Sequence, residues 1–334
     1  MLKMNKTDFS DKELTISAGI TVASSILSII GGILIIWSYS RITETQNRVR
    51  DLLVALTIAD ICIAFGNGVG GVQFYYLDLK QSLSSNAVCV GQSFITTTFS
   101  ISSFLWILSI AVYLFRCVWI QEDPLLTRKT MIVIHVIIWG IPGVITLTAY
   151  ICDKLGNGTY SINGVWCWLK VPVDTKWGLF WMLVTGKGWE VITYVVIAIL
   201  YMMMKVKTYR QGRRFNRNVL QWNQISNELR REDEIYCISC LIIYCLRMWG
   251  IIRLGLGLVR TDIPFNSYCY DHGIKQALLY LHSYGDSAQA FWNFILFCLC
   301  DKTVRTHVES AFCRRKLNRL GENIKQNNER TSFL

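Results

Sequence analysis

Charge is what this sequence lacks. Only 17% of its 334 residues are Asp, Glu, Lys or Arg, against about 25% in soluble domains. The deficit is concentrated, because residues 14–40, 81–115 and 130–152 contain none of the four. Each stretch is longer than the about 20 apolar residues that cross a bilayer. A soluble two-domain enzyme is thereby excluded, as are a disordered chain and a disulfide-stapled secreted fold. An apolar run ahead of Ile16 is also missing, since Met1–Thr15 is polar; no cleavable leader is expected, and the first span must act as its own insertion signal. No C-x-x-C…C-x-x-C array is present. Cys237 and Cys240 sit in an apolar stretch without nearby histidines and read as small buried hydrophobes. Histidine is scarce, and His135 and His282, the two inside apolar segments, read as hydrogen-bonded core residues. Two such donors do not make a metal centre, and no Ser/His/Asp constellation is recognisable. No catalytic residue, metal or cofactor is expected.

What is present is a series of apolar runs. Seven are bounded by charged or turn residues: Ile16–Tyr39, Asp51–Leu77, Val88–Val118, Met131–Ile151, Trp177–Met204, Glu234–Val259 and Gly273–Cys298. The fold class is therefore an all-α membrane protein, a seven-helix bundle over 16–298, preceded by a short polar N-terminus, 1–15. With the N-terminus outside, the inner segments carry three, two, eight and eight Lys or Arg, 21 in all, and the outer segments carry eight. Positive charge resists translocation, so this arrangement is favoured. The net charge of +11 then reports topology and attraction to the inner leaflet, and no nucleic-acid partner is expected. The sequons at Asn5 and Asn157 both fall outside in this arrangement, as glycosylation requires.

Four cysteines face the oxidising side: Cys89, Cys152, Cys167 and Cys269. A Cys89–Cys167 disulfide would pin the loop after the fourth helix over the mouth of the bundle. Cys152 and Cys269 could form a second bridge, although connectivity does not follow from sequence.

Ionisable side chains are costly in hydrocarbon, and those present are paired or functional. Asp60, Glu190 and Asp286 stand against Lys187, Arg247 and Arg253. Arg247 is 13 residues from the inner end of the sixth span and Asp286 is 12 from that of the seventh, which predicts a salt bridge between them acting as a brake on helix six. Lys187 and Glu190 are three apart on one helical face and either pair or leave Lys187 to an anionic ligand. Arg253 lies nearer the outer end without an obvious partner and is the first candidate for holding a ligand's acid group. Trp181 and Tyr280 complete the ligand-pocket candidates. Asp60, on the inner half of helix two, is a switch candidate holding water or a cation, or hydrogen-bonded to a neighbouring helix. Ser24, Ser28 and Gly32, with Gly66 and Gly70, mark close helix contacts.

On the inner face, Lys207, Arg210, Arg213 and Arg214 continue helix five as a basic stripe that faces lipid headgroups or a cytosolic transducer. After helix seven, Val304, Val308, Ala311 and Phe312 follow helical spacing among basic residues, predicting an amphipathic surface helix over 299–316, with Cys313 or Cys300 as palmitoylation candidates. The tail, 317–334, is polar and predicted to be disordered.

The whole pattern resembles a G-protein-coupled receptor. Gly164-Val165-Trp166-Cys167-Trp168, the run from Phe180 to Glu190, Ser102-Ser103-Phe104-Leu105-Trp106, Ile138-Trp139-Gly140-Ile141-Pro142 and Leu246-Arg247-Met248-Trp249 are similar to orphan receptors of the cyclic-AMP-receptor-like branch. The resemblance implies a plasma-membrane receptor that passes an extracellular small-ligand signal to a heterotrimeric G protein, whose inner cleft would include Arg116. The ligand would enter through the bundle mouth. The rhodopsin class differs: Tyr113-Leu114-Phe115-Arg116 lacks an acidic-Arg-Tyr triplet, helix six has no proline, and helix seven lacks Asn-Pro-x-x-Tyr. The alternative is a seven-helix transporter of a small polar solute, which an absent inverted repeat disfavours.

Overall fold

A computed structural model describes residues 9–43, 47–76, 87–120, 128–157, 165–170, 176–214, 238, 241–242, 244–256, 268–301, 304–307 and 310. Helix α1 spans Asp11–Arg41, α2 Arg48–Tyr76, α3 Ala87–Ile120 and α4 Arg128–Ile151. Helix α5 runs Lys176–Met182, passes through a π-helical turn at Leu183–Lys187 and continues as Gly188–Arg214. Helix α6 is described over 241–242 and 244–256. Helix α7 runs Tyr268–Gly285, breaks, and resumes as Gln289–Phe294 and a π turn at Ile295–Leu299. Five helices, α1 to α5, are long and apolar enough to cross a membrane by length and composition. The break in α7 leaves only a shorter apolar helix after it, Gln289–Leu299.

The helix ends follow local chemistry more than hydropathy. α1 starts ahead of its apolar run because Ser10 and Glu13 form a capping box: Ser10 N–H donates to Glu13 Oε2 at 2.8 Å, and Glu13 N–H to Ser10 Oγ at 3.4 Å. α4 ends where Asp153 takes a φ of 53° and the Lys154 N–H reaches back to the Ala149 carbonyl at 2.9 Å, a left-handed cap that turns the chain. It turns into a small hairpin, β1 Leu155–Gly156 and β2 Trp168–Leu169, paired antiparallel with Leu155 opposite Leu169. Lys170 Nζ lies 2.5 Å from Asp153 Oδ1, and this hydrogen bond and charge hold the Asp153 carboxyl below the usual carboxylate range.

Small residues set the packing. A side chain at Gly32 would meet Ile61 at 2.5 Å, and one at Gly66 would meet Thr96 at 2.5 Å, so the small-residue rows do mark helix contacts. Ser28 Oγ accepts from the Phe291 N–H at 3.3 Å, tying α1 to α7. In α4, Pro142 has no N–H for the Ile138 carbonyl four residues back; Ser102 Oγ on α3 donates to that carbonyl at 3.1 Å instead. α4 buries Ile138, Pro142, Thr146 and Ala149 on one side. It exposes Val133, Val136, Ile137, Val144 and Leu147 on the other. An exposed apolar belt of this kind belongs against hydrocarbon. The core around α3 holds Trp106, Ile107 and Ile110 against Leu52, Leu53 and Leu56 of α2.

The seventh helix is not the continuous span that the apolar run predicts. The break at Asp286 to Ala288 follows Gly285, where a Cβ would stand 1.8 Å from the Leu246 carbonyl oxygen of α6. Backbone freed inside a membrane needs a partner, and Asn67 of α2 supplies one by donating to the Asp286 carbonyl at 3.4 Å and to Ser287 Oγ at 3.2 Å. Beyond α7, residues 304–307 and 310 are helical. Most of the surface helix predicted over 299–316, Cys313 included, lies outside the described residues, as does Asn5.

Candidate functional site

A loop stitched to α3 closes one end of the bundle. The Cys89–Cys167 disulfide joins α3 to the strand before α5. Gln92, one turn further along α3, clamps the same backbone: its Nε2 donates to the Cys167 carbonyl at 3.3 Å, and its Oε1 accepts from the Cys167 N–H at 2.9 Å. Ser93 Oγ donates to the Trp168 carbonyl. These links fix the two tryptophans that flank Cys167. Trp166 is buried, edge-to-face with the His282 ring of α7 at 5.2 Å between ring centres. Trp168 lies over Gly186, whose missing Cβ would stand 3.0 Å from its ring. Cys152 is a free, exposed thiol, so the second bridge to Cys269 is not formed.

Beneath this loop is a cavity of about 70 Å³ between α2, α3, α5, α6 and α7. Lys187, Glu190, Arg247, His282 and Asp286 supply its charged and titratable lining, and Thr96, Thr97, Ser100 and Thr185 its hydroxyls. The π turn in α5 ends at Lys187, and such turns re-aim the residues that follow them. Lys187 Nζ lies 2.8 Å from Glu190 Oε2, and the Tyr194 hydroxyl donates to Glu190 Oε1 at 3.0 Å. Glu190 is thus satisfied on both oxygens. Gly250 of α6 makes room for the group, since a Cβ there would stand 2.5 Å from Lys187 Nζ and 2.8 Å from His282 Nε2.

The Lys187–Glu190 pair is one of the two expected arrangements, but the partner of Asp286 differs from the expected one. Asp286 Oδ2 lies 3.1 Å from His282 Nε2, one helical turn back, and not on Arg247. Among the described residues no ion pair joins Arg247 to Asp286; the guanidinium lies 4.8 Å from the centre of the Phe104 ring. Equal depth in the bundle was the basis for that pairing, but depth does not set the direction in which a helix points a side chain. Arg253 does have an internal partner, because its Nη1 is 2.7 Å from His282 Nδ1. A guanidinium can only donate, so Nδ1 accepts and Nε2 carries the proton toward Asp286. The resulting Arg253–His282–Asp286 chain ties α6 to α7. Arg253, Trp181 and Tyr280 are not among the cavity residues; Trp181 packs edge-on against Phe180, and Tyr280 OH accepts from Gln276. Sequence reasoning missed His282, Trp166 and Thr97 as cavity residues. The four-residue spacing of His282 and Asp286 was the available signal for the first.

Deeper in the bundle, Asp60 Oδ1 accepts from Ser103 Oγ at 2.8 Å and Oδ2 from Asn293 at 3.3 Å. The predicted hydrogen bond to a neighbouring helix is therefore present. At the end opposite the hairpin, Arg116 and Arg210 are exposed. Lys207 donates to the Trp119 carbonyl and sits 4.6 Å from the centre of the Trp119 ring, which joins α5 to α3. Arg213 and Arg214 lie on the last helical turn of α5, their side chains outside the described residues. Arg50 bridges α2 to the end of α7 through Asp301 at 2.8 Å.

Comparison with known proteins agrees with this architecture. Residues 31–280 match the family described as 7 transmembrane receptor (rhodopsin family). The chain is 28% identical over 295 residues to G-protein coupled receptor 157 of Homo sapiens, covering 87% of this chain and 82% of that one. It is 26% identical over 298 residues to G-protein coupled receptor 157 of Rattus norvegicus, covering 88% and 85%. A shorter likeness, 26% over 162 residues, joins it to G-protein coupled receptor 1 of Arabidopsis thaliana, covering 48% of this chain and 44% of that one. The matching description is the rhodopsin family, so placement in the cyclic-AMP-receptor-like branch is not confirmed, and a transporter is not favoured. With helices of membrane-crossing length, a disulfide-tethered loop and a family match over most of its length, the chain belongs to the seven-transmembrane receptors of the rhodopsin family and is a multi-pass membrane receptor that signals through G proteins.

Proposed function

We propose that the receptor stands in the plasma membrane with its N-terminus outside, takes a small extracellular ligand into the cavity under the Trp166–Trp168 loop, and transmits occupancy by moving α5 and α6 relative to α7. The observation that carries this is the Arg253–His282–Asp286 chain, which ties α6 to α7 beside the cavity and under the Trp166 ring. An occupant that reorients Trp166 or His282 changes how firmly the two helices are held. At the other end, α3 and α5 meet through Lys207 and Trp119, and the exposed Arg116 and Arg210, with Arg213 and Arg214, form the surface offered to a Gα subunit. Exposed apolar side chains on α1 and α4 face lipid. Ligand and G protein are coupled because each binds the opened arrangement better than the closed one.

The test is G-protein dissociation in intact cells, over a panel of Gα classes and without added ligand, comparing the wild type with His282→Ala at equal surface expression. Signal above mock in one Gα class is expected, rising about fivefold or more when the tie is cut, which is the low end of ordinary coupling energies. An unchanged signal in His282→Ala removes the tie from the mechanism. Silence of both proteins together with solute uptake into vesicles would overturn the receptor cycle proposed here.

A further inference from the structure

We infer that the entry to α1 is a built-in strap across the bundle mouth, in which Phe9 and Glu13 hold α6 against α7 and so restrain coupling. The inference rests on the α6–α7 tie proposed above as the resting arrangement. Residues ahead of a first helix are poorly ordered unless something ties them down, yet Phe9 is only 5% exposed. Local chemistry explains part of this. Phe9 precedes the N-cap Ser10 and shares one apolar cluster with Leu14, the fourth helical residue, as a hydrophobic staple does. Staple and capping box together fix the angle at which the chain enters α1. A staple needs Leu14 alone, however. The cluster of Phe9 also holds Phe74 of α2, Trp166 of the loop and Leu279 of α7. Its ring centre lies 5.9 Å from the Arg253 guanidinium carbon of α6, within the about 6 Å reach of a cation–π contact. Glu13 likewise does more than cap. Its Oε2 accepts from the Ser10 N–H, and its Oε1 lies 3.0 Å from His272 Nε2 of α7. A carboxylate can only accept, so Nε2 carries the proton.

This turn rests on a fixed base. Ser17 Oγ lies 2.6 Å from Ser283 Oγ of α7, and the Tyr75 hydroxyl of α2 donates to the Thr15 carbonyl at 2.9 Å. From that base Phe9 reaches the guanidinium of α6, the same group whose Nη1 is 2.7 Å from His282 Nδ1. Moving α6 away from α7 must therefore part Arg253 from the Phe9 ring as well as from His282. The strap also senses the cavity, because Trp166 both lines it and belongs to the cluster of Phe9. An occupant that displaces Trp166 loosens the seat of Phe9. His272 is exposed, so the Glu13 latch opens directly into solvent.

The experiment uses the full-length receptor. Hydrogen exchange of residues 268–285 is followed in lipid nanodiscs, and ligand-free G-protein dissociation in intact cells at equal surface expression. Phe9→Leu keeps an apolar partner for Leu14, and so the helix start, but has no ring face for Arg253. His272→Ala removes the latch, and His272→Gln returns a donor to Glu13. Phe9→Leu and His272→Ala are each expected to speed exchange in the first turns of α7 and to raise the signal about threefold, the ordinary strength of one such contact. His272→Gln is expected to stay close to the wild type, as is Lys12→Ala at an exposed position of the same turn. Unchanged exchange in both Phe9→Leu and His272→Ala, an equal effect of Lys12→Ala, or a signal that falls in the strap variants overturns the inference. His282→Ala separates the two levels. A signal that rises in His282→Ala but in neither strap variant fails the strap alone. Faster exchange in the strap variants, with no signal from any of the proteins in any Gα class, fails the receptor cycle alone.

Discussion

A single methyl group at position 285 would stand 1.8 Å from the Leu246 carbonyl oxygen. The obstacle is backbone, which cannot swing aside as a side chain can, so Gly285→Ala must push α6 from α7. The expected cost is about 3 kcal/mol, the upper end for overpacking, read as lost surface expression and a lower melting temperature in detergent; an unchanged melting temperature would mean that the two helices do not pack this closely. The same scale exposes the weakness of depth arguments. Sequence distance placed Arg247 and Asp286 at one level, yet Asp286 is served by His282 on its own helix and Arg247 faces Phe104. Lys187 and Glu190 were easier, because a three-residue spacing on a helix fixes direction as well as depth.

At the scale of elements, the loop before α5 is held by several independent restraints: a disulfide, the two-way clamp of Gln92 and the bond from Ser93. Cys89→Ser opens a cross-link spanning 78 residues, for which chain entropy alone gives about 4–5 kcal/mol. The melting temperature should fall by several degrees while the Gln92 clamp keeps part of the loop in place. A wild-type melting temperature in Cys89→Ser would show the disulfide to be dispensable for the bundle. The helix-end chemistry was legible at this scale only in part. The small-residue rows follow from a known spacing, whereas the Ser10–Glu13 box lies ahead of the apolar run at Ile16 and was passed over by a reading of hydropathy alone. The break in α7 follows from no spacing, because it depends on Asn67 of another helix accepting the role of hydrogen-bond donor to the freed carbonyl.

For the whole molecule, the decisive quantity is the distribution of positive charge, 21 Lys or Arg on one set of segments against eight on the other. It predicts that an epitope at the N-terminus is labelled on intact cells and one at the C-terminus only after permeabilisation. Glycosidase treatment should increase mobility on a gel, with Asn5→Gln and Asn157→Gln together removing the effect. Reversed labelling would invert the molecule and move the cavity to the cytosolic side.

Composition and order settled the class of this protein by themselves. Long uncharged stretches have no stable home but a bilayer, and a bilayer admits backbone only as helices or closed barrels. The seven-run pattern, the candidate disulfide and the set of six ionisable residues within the apolar runs were all readable on that basis. Which of those charges meet was decided by tertiary structure alone. Partner choice depends on helix rotation, on the π turn in α5, on the break in α7 and on glycines that admit neighbouring side chains. These set directions to within one side chain's reach, and a one-dimensional pattern of hydrophobicity and charge carries no such angle.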